Sequence, residues 1–167
     1  MSLETDPFTK VYAAIWGLLE KNADFCKLVD VGNRIRLDGD DRRPNKREVS
    51  TRDLPEVRIV PTQLVPHAQR TSNSSTCELR LEVQVSTGDW RVHEQLFPLE
   101  WAIYRALVNW ELELKSLTWN NRPFVQVAQS LGVNVGRSES DIERGIQGWA
   151  GVWACMVDLW FNTADLL

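Results

Sequence analysis

Apolar and polar residues alternate along this chain with two different periods, and the changes between them mark its elements. Asp6-Pro7 has the chemistry of a helix N-cap followed by a proline at the first helical position. Phe8, Val11, Tyr12, Ile15, Leu18 and Leu19 then recur at helical spacing. Phe25, Leu28 and Val29 extend or follow that helix, Gly32-Asn33 marks a turn, and residues 34–37 alternate as a strand. Residues 38–54 carry turn residues and basic residues with almost nothing apolar, which predicts a long exposed loop. Residues 56–60 resume as a strand that Pro61 and Pro66 interrupt, and residues 67–76 read as a second polar loop. In the next segment Cys77, Leu79, Leu81, Val83 and Val85 alternate strictly with Glu78, Arg80, Glu82 and Gln84, the pattern of a strand with one face in water.

Thr87-Gly88-Asp89 predicts a turn, and Pro98 opens a second helix running to about Leu117. Its apolar face is Leu99, Ala102, Ile103, Ala106, Leu107, Trp110, Leu114 and Leu117. Residues 124–131 read as a strand and 132–148 as a polar, glycine-rich passage. Residues 149–161, rich in Trp, Val and Phe and containing Gly151, read as a long closing strand rather than a helix. The order α-β-β-β-α-β-β predicts a single α+β domain over residues 1–167. Its sheet is mixed and largely antiparallel, with helices packed on one face. The closing strand is apolar on both sides: Trp149, Trp153, Cys155, Val157, Leu159 and Phe161 on one, Val152, Ala154, Met156 and Trp160 on the other. Such a strand is either central in the sheet, or covered by helix on one side and by another subunit on the other.

Composition excludes little beyond disorder: 43% of residues are hydrophobic and 25% charged, over a length that suits one domain. Eight tryptophans are unusual, and imply an aromatic-rich core or rings that await a partner. The net charge of −4 argues against a general nucleic-acid binder. Cys26, Cys77 and Cys155 form no CxxC pair and sit in apolar settings, which predicts small buried hydrophobes in a reducing, cytoplasmic compartment. No apolar run reaches the roughly 18 residues that span a bilayer, and no secretory leader is expected.

A search for chemistry returns little. The two histidines, His67 and His93, belong to no metal or nucleophile motif, and no phosphate-cradling glycine loop or nucleophile elbow is present. Cys26 falls within an amphipathic helical stretch, where a buried thiol is the simpler reading. Asp38, Asp40 and Asp41 lack the further ligands of a calcium loop and adjoin Arg42 and Arg43, so a solvated turn explains them better than a cation site. Glu78 and Glu82 share a strand face with Arg80, an exposed row of alternating charge. The basic run Arg42, Arg43, Lys46, Arg47 admits three readings: a nucleic-acid contact, a solvated loop, or an arm that grips an acidic neighbour. It has no interleaved aromatic for base stacking, and aspartates flank it.

With the elements laid out, a resemblance emerges. An N-terminal helix, a glycine turn and strand, and a long loop lead into LPEVRIVPTQ. CELRLEVQVSTGDW, the helix PLEWAIYRALVNW and the closing GWAGVWACMVDLWF follow. In element order this resembles the tail terminator and minor tail protein family of long-tailed bacteriophages and prophages, across nearly the whole chain but without a diagnostic motif. The resemblance implies a hexameric ring that caps the tail tube, stops its growth and offers the surface that joins the head. It implies the tail tube protein and a head-completion protein as partners, with no catalytic residue, no cofactor, no membrane and no specific nucleic acid. The protein would act in the host cytoplasm during assembly and then in the virion tail. A head–tail joining or head-completion protein of the same fold is the alternative within the class. A cytoplasmic enzyme or small-ligand-binding domain, with a pocket between sheet and helices, is the alternative outside it.

In the assembly reading, residues 38–54 and 132–148 are the loops that reach neighbours. Arg42, Arg43, Lys46, Arg47 and Trp160 are the candidate interface residues. Replacing the four basic residues with Glu should therefore lower oligomer mass in sedimentation while the melting temperature stays put, because exposed charges contribute little to folding. An unchanged mass removes this loop from the interface.

Overall fold

A computed structural model describes residues 4–36, 54–66, 73–88, 91–137 and 148–167. Helix α1 spans Pro7–Lys21, and Asp6 caps it by accepting from the Thr9 backbone N–H at 2.9 Å and the Thr9 hydroxyl at 2.8 Å. These hydrogen bonds hold the Asp6 carboxyl below its ordinary pKa. Asn22 ends α1 and caps the short α2, Ala23–Leu28, through a bond from Phe25 N–H to its side-chain oxygen. Strand β1 is Arg34–Ile35, β2 is Glu56–Pro66 and β3 is Ser74–Ser86. Helices α3, Leu96–Leu107, and α4, Trp110–Lys115, precede a small hairpin of β4, Thr118–Trp119, and β5, Arg122–Pro123. Strands β6, Val125–Arg137, and β7, Trp149–Asn162, complete the fold.

The five-stranded sheet has the order β1-β2-β3-β7-β6; β1 and β2 are parallel and every other neighbouring pair is antiparallel. This is the expected α+β class with a mixed, largely antiparallel sheet. Leu79, Leu81, Val83 and Val85 of β3 lie opposite Val157, Cys155, Trp153 and Gly151 of β7, on one buried face. Above that face Val11, Ile15, Trp16 and Leu19 of α1, Phe25 of α2, Leu99 and Ile103 of α3 and Leu114 of α4 complete a single core. Each large side chain removed from water in this way contributes roughly 1.5–3 kcal/mol. The helices lie on one face because only one face of β3 is apolar. Strand β7 is interior, between β3 and β6; its second apolar row, Val152, Ala154, Met156 and Trp160, lies half-buried on the sheet face opposite the helices.

Several sequence-based boundaries move. Strand β2 runs through Pro61 and Pro66 instead of stopping, with a register shift between Pro61 and Gln63. It is nearly an edge strand, flanked only by the two residues of β1, so the missing proline N–H groups cost no ladder bond. Strand β3 starts at Ser74, inside the expected loop. Strand β6 continues to Arg137, well into the passage read as a glycine-rich loop; Val133 and Val135 alternate with Asn134 and Gly136 there, and glycine is tolerated at an edge. The second helix is broken at Val108-Asn109 into α3 and α4, with Asn109 at the N-cap position of α4 but making no side-chain cap bond. Only Arg34 and Ile35 of the segment 34–37 form the expected strand; Arg36 follows as non-strand and Leu37 lies outside the described residues. The β4–β5 hairpin turns on Asn120 and Asn121, both at positive φ, the left-handed pair a two-residue hairpin turn requires.

Ile103 is fully buried between α3 and the sheet. Ile103→Asp places an uncompensated carboxylate there and should unfold the domain, a loss of several kcal/mol. A thermal melt within a degree or two of wild type would contradict this packing.

Candidate functional site

Helix α3 is apolar on more than its buried face. Phe97, Trp101, Tyr104 and Val108, with Leu112 at the start of α4, recur at spacings of three and four and are each 51–70% exposed. They form one stripe on the exposed side of α3, and Arg105, one turn on from Trp101, pairs with Asp24 of α2 at 3.1 Å. Trp101 and Tyr104 stack at a ring separation of 5.6 Å, and Tyr104 stacks in turn on Trp153 of β7 at 6.2 Å. Two ring contacts thus hold the exposed aromatics in fixed positions. Scattered single exposed hydrophobics are ordinary, but a connected row of five marks a surface with a use.

The sheet continues this surface. Helix α4 lies against β6 and covers Val125 and Ala128. Beyond Ala128 the helical layer ends, leaving Leu131, Val133 and Val135 exposed; Val133 and Val135 stand opposite Trp153 and Gly151, on the helix side. The result is a shelf with Ser130, Val133 and Val135 as floor and Trp101, Tyr104 and Val108 as wall. Where floor meets wall, a cavity of ≈ 160 Å³ opens between Tyr104, Leu107, Val108, Trp110, Ser130, Trp153 and Cys155. The Trp153 indole N–H donates to the Ser130 hydroxyl there. The lining side chains that carry polar atoms are Ser130 and Trp153, bonded to each other, with Tyr104, Trp110 and Cys155. The size of this slot suits one apolar side chain, below the several hundred Å³ of a small-molecule site.

The glycine before this stretch of β7 and the one within it have structural causes. A Cβ on Gly148 would stand 1.7 Å from the Thr87 carbonyl oxygen, and one on Gly151 would stand 2.1 Å from Glu100 Oε1. Glu100 points from α3 onto the bare backbone at Gly151, and both of its carboxylate oxygens are buried without a hydrogen-bond partner. Burial raises its pKa to about 7. Its charge is therefore set to change near neutral pH.

The residues expected to matter are distributed differently. Arg42, Arg43, Lys46 and Arg47 lie outside the described residues, as do Asp38, Asp40, Asp41 and His67. Trp160 is on the sheet face opposite the helices, half-buried, across from Thr76 of β3 and far along β7 from Trp153. That face carries Glu56, Arg58, Glu78, Arg80, Glu82 and Gln84. Glu78 is buried and ion-paired to Arg80 at 2.8 Å, so the row is less exposed than its alternation suggests. Of the three cysteines only Cys155 is fully buried, and burial pushes its thiol up to about 12, which keeps it protonated and inert. Cys26 is partly buried and donates to the Glu20 carbonyl at 3.1 Å. His93 is exposed beside Glu94. Among the described residues, no group of three His, Cys, Asp or Glu side chains could hold a metal ion, and no helix is long and apolar enough to cross a membrane. The stripe on α3 was missed because only one face of the helix was read. Its signal is plain in sequence: Phe97, Trp101, Tyr104 and Val108 make a second row in a helix already supplied with one buried row.

No protein-family model matches the chain, and no curated protein matches its sequence.

Glu100 generates a pH prediction. Its folded pKa of about 7 exceeds the ordinary 4.5, so both states are protonated below about pH 4.5 and the group then has no effect. As pH rises toward 7 the unfolded chain ionises first, and stability falls by roughly 2–3 kcal/mol. Urea unfolding should show this loss between pH 4.5 and 8 in wild type. Glu100→Gln should abolish it and be the more stable protein at pH 8; equal pH dependence in the two would contradict the buried, unpaired carboxylate.

Proposed function

We propose that this chain is a structural assembly protein of the tail-terminator and tail-completion kind, acting by binding copies of itself and neighbouring tail proteins. The observation that carries the reading is the connected stripe of Phe97, Trp101, Tyr104, Val108 and Leu112 bordering the uncovered half of β6. Large aromatics held rigid by stacking lose little conformational freedom on association, and such rings dominate binding energy at protein interfaces. The slot between Tyr104 and Trp153 suits an anchoring side chain from a partner better than a substrate.

The element order gives this reading its biological form: a ring of copies, six in the resembled family, at the end of a tail tube, with a head-completion protein on its far side. A head–tail joining protein of the same fold would use the same kind of surface. Trp160, on the opposite face of the sheet, and the basic residues Arg42, Arg43, Lys46 and Arg47 are the candidates for contacts other than the one made by the stripe.

Sedimentation velocity over a concentration series tests the reading. Wild type should sediment as an oligomer at micromolar concentration, and Trp101→Glu with Val108→Glu should shift it to monomer. Both side chains are more than half exposed, so the melting temperature should change by only a few degrees. A wild-type chain that stays monomeric at high micromolar concentration, with tail tube protein present, would contradict the proposal.

A further inference from the structure

Strand β6 carries an irregularity beside the slot. Ser130 stands opposite Cys155 and Gly132 opposite the adjacent Ala154, so Leu131 is an extra residue in the ladder, a β-bulge. Gly132 has a φ of 121°, open to glycine because it lacks a Cβ. Strict alternation from Ser130 would turn Gly132 and Asn134 toward the helices. With Leu131 inserted, Ser130, Val133 and Val135 stand opposite Cys155, Trp153 and Gly151, all on the helix side. The bulge thus holds a hydroxyl at the slot and begins the apolar floor directly after it.

The slot has a buried end and an exposed mouth. Leu107, Trp110, Trp153 and Cys155, none more than 8% exposed, close its inner part, and Tyr104, Val108 and Ser130 surround the opening. Its volume of ≈ 160 Å³ is close to the roughly 150 Å³ in which an apolar cavity holds one benzene molecule. The Ser130 hydroxyl at the mouth has its role fixed by its neighbours. It accepts from the Trp153 indole N–H and, at 3.4 Å, from the Gly132 backbone N–H, which engages both lone pairs. Its own proton is left to donate, and no acceptor meets it among the described residues. A group entering the slot therefore finds one hydrogen-bond donor at the mouth and the rings of Tyr104, Trp110 and Trp153 around it.

We infer that the slot anchors a neighbouring protein chain through one side chain of phenylalanine size, whose adjoining main-chain carbonyl accepts from Ser130. This rests on the assembly reading above and adds the chemistry the neighbour must bring. Tyr104 and Val108, which border the opening, belong to the exposed stripe, so the anchor lies within the surface that the stripe offers. A desolvated pocket with aromatic walls is the setting in which a single inserted ring carries much of the energy of an interface. The contact is one-sided, slot on one chain and ring on the other, as a head-to-tail ring or a joint with a different tail protein requires.

The test uses the full chain labelled with 5-fluorotryptophan and diluted until it sediments as monomer, so that the slot is open. Where association persists, Trp101→Glu, outside the slot lining, supplies the monomer. Trp153→Phe identifies the Trp153 fluorine signal by its loss. N-acetyl-phenylalanine methylamide should shift that signal saturably at millimolar concentration, and N-acetyl-alanine methylamide, with the same carbonyls but no ring, should not. Ser130→Ala should weaken the phenylalanine probe roughly two- to tenfold, Ser130→Thr should retain it, and toluene, a ring without an acceptor, should bind both variants alike. A Trp153 signal that the phenylalanine probe leaves unmoved, or a Ser130→Ala chain that binds it as tightly as wild type, overturns the anchor. Toluene binding more tightly than the probe also overturns it, and marks a site for small free aromatics. Oligomer mass decides the assembly reading separately: a wild type that associates but shows no probe shift loses only the anchor, and one that is monomeric at every concentration, with tail tube protein present, loses the assembly reading whatever the probe does.

Discussion

The fold depends on the pairing of β3 with β7. Thirteen consecutive residue pairs, from Ser74 opposite Asn162 to Ser86 opposite Ala150, join strands more than sixty positions apart in sequence. In a strand of period two, a slip of one residue would turn Leu79, Leu81, Val83 and Val85 toward water and Glu78, Arg80 and Glu82 toward the helices. The register is fixed at one end by Thr87, fully buried, whose backbone N–H and hydroxyl both donate to the Trp149 carbonyl at 2.9 and 3.0 Å. Gly148 and Gly151 permit the close approaches there, the first of backbone to backbone and the second of Glu100 to β7. Every later feature follows from this axis: the helices cover the face it makes apolar, and β2 and β6 attach to its two sides.

A second consequence is incomplete cover. Among the described residues, four helices, two of them only six residues long, lie over a five-stranded sheet. The layer closes over β3, β7 and the first half of β6 and stops where α4 stops. A layered domain normally buries each apolar stripe against another element. In this chain the exposed flank of α3 and the distal half of β6 remain together at the boundary, where Tyr104 stacks on Trp153 and Trp101 on Tyr104. It is this ordered, uncovered surface that the proposed assembly role would use as an interface.

Much of this was legible in the sequence, for reasons particular to each element. The strict alternation from Cys77 to Val85 identified a strand with one wet face, and Asp6-Pro7 identified a capped helix start, because both patterns are local. The α+β class followed from the order of such segments. Proline misled at β2 because its cost depends on whether a neighbour needs its N–H, which is a property of the sheet and not of the residue. Glycine misled at β6 because Gly132, at a φ of 121°, sits at the register shift and the ladder with β7 continues beyond it. The hairpin at Asn120-Asn121 carried a signal, two residues suited to left-handed backbone, that the surrounding helix and strand patterns obscured. Trp160 was placed correctly on the face opposite Trp153, but the larger apolar surface proved to be on α3, where a second row of hydrophobics passed unread beside the first. Glu100 has no sequence signature: its burial arises only because Gly151 lies beneath it.

Amide hydrogen exchange measured at several protein concentrations tests most directly whether the boundary of the helical layer is an interface. The account predicts slow exchange along β3 and β7 at every concentration, and protection of residues 132–136 and of the α3 flank that rises with concentration and disappears on dilution. Exchange in β6 that is fast and independent of concentration, in a sample that associates, would show that the copies meet elsewhere and contradict it.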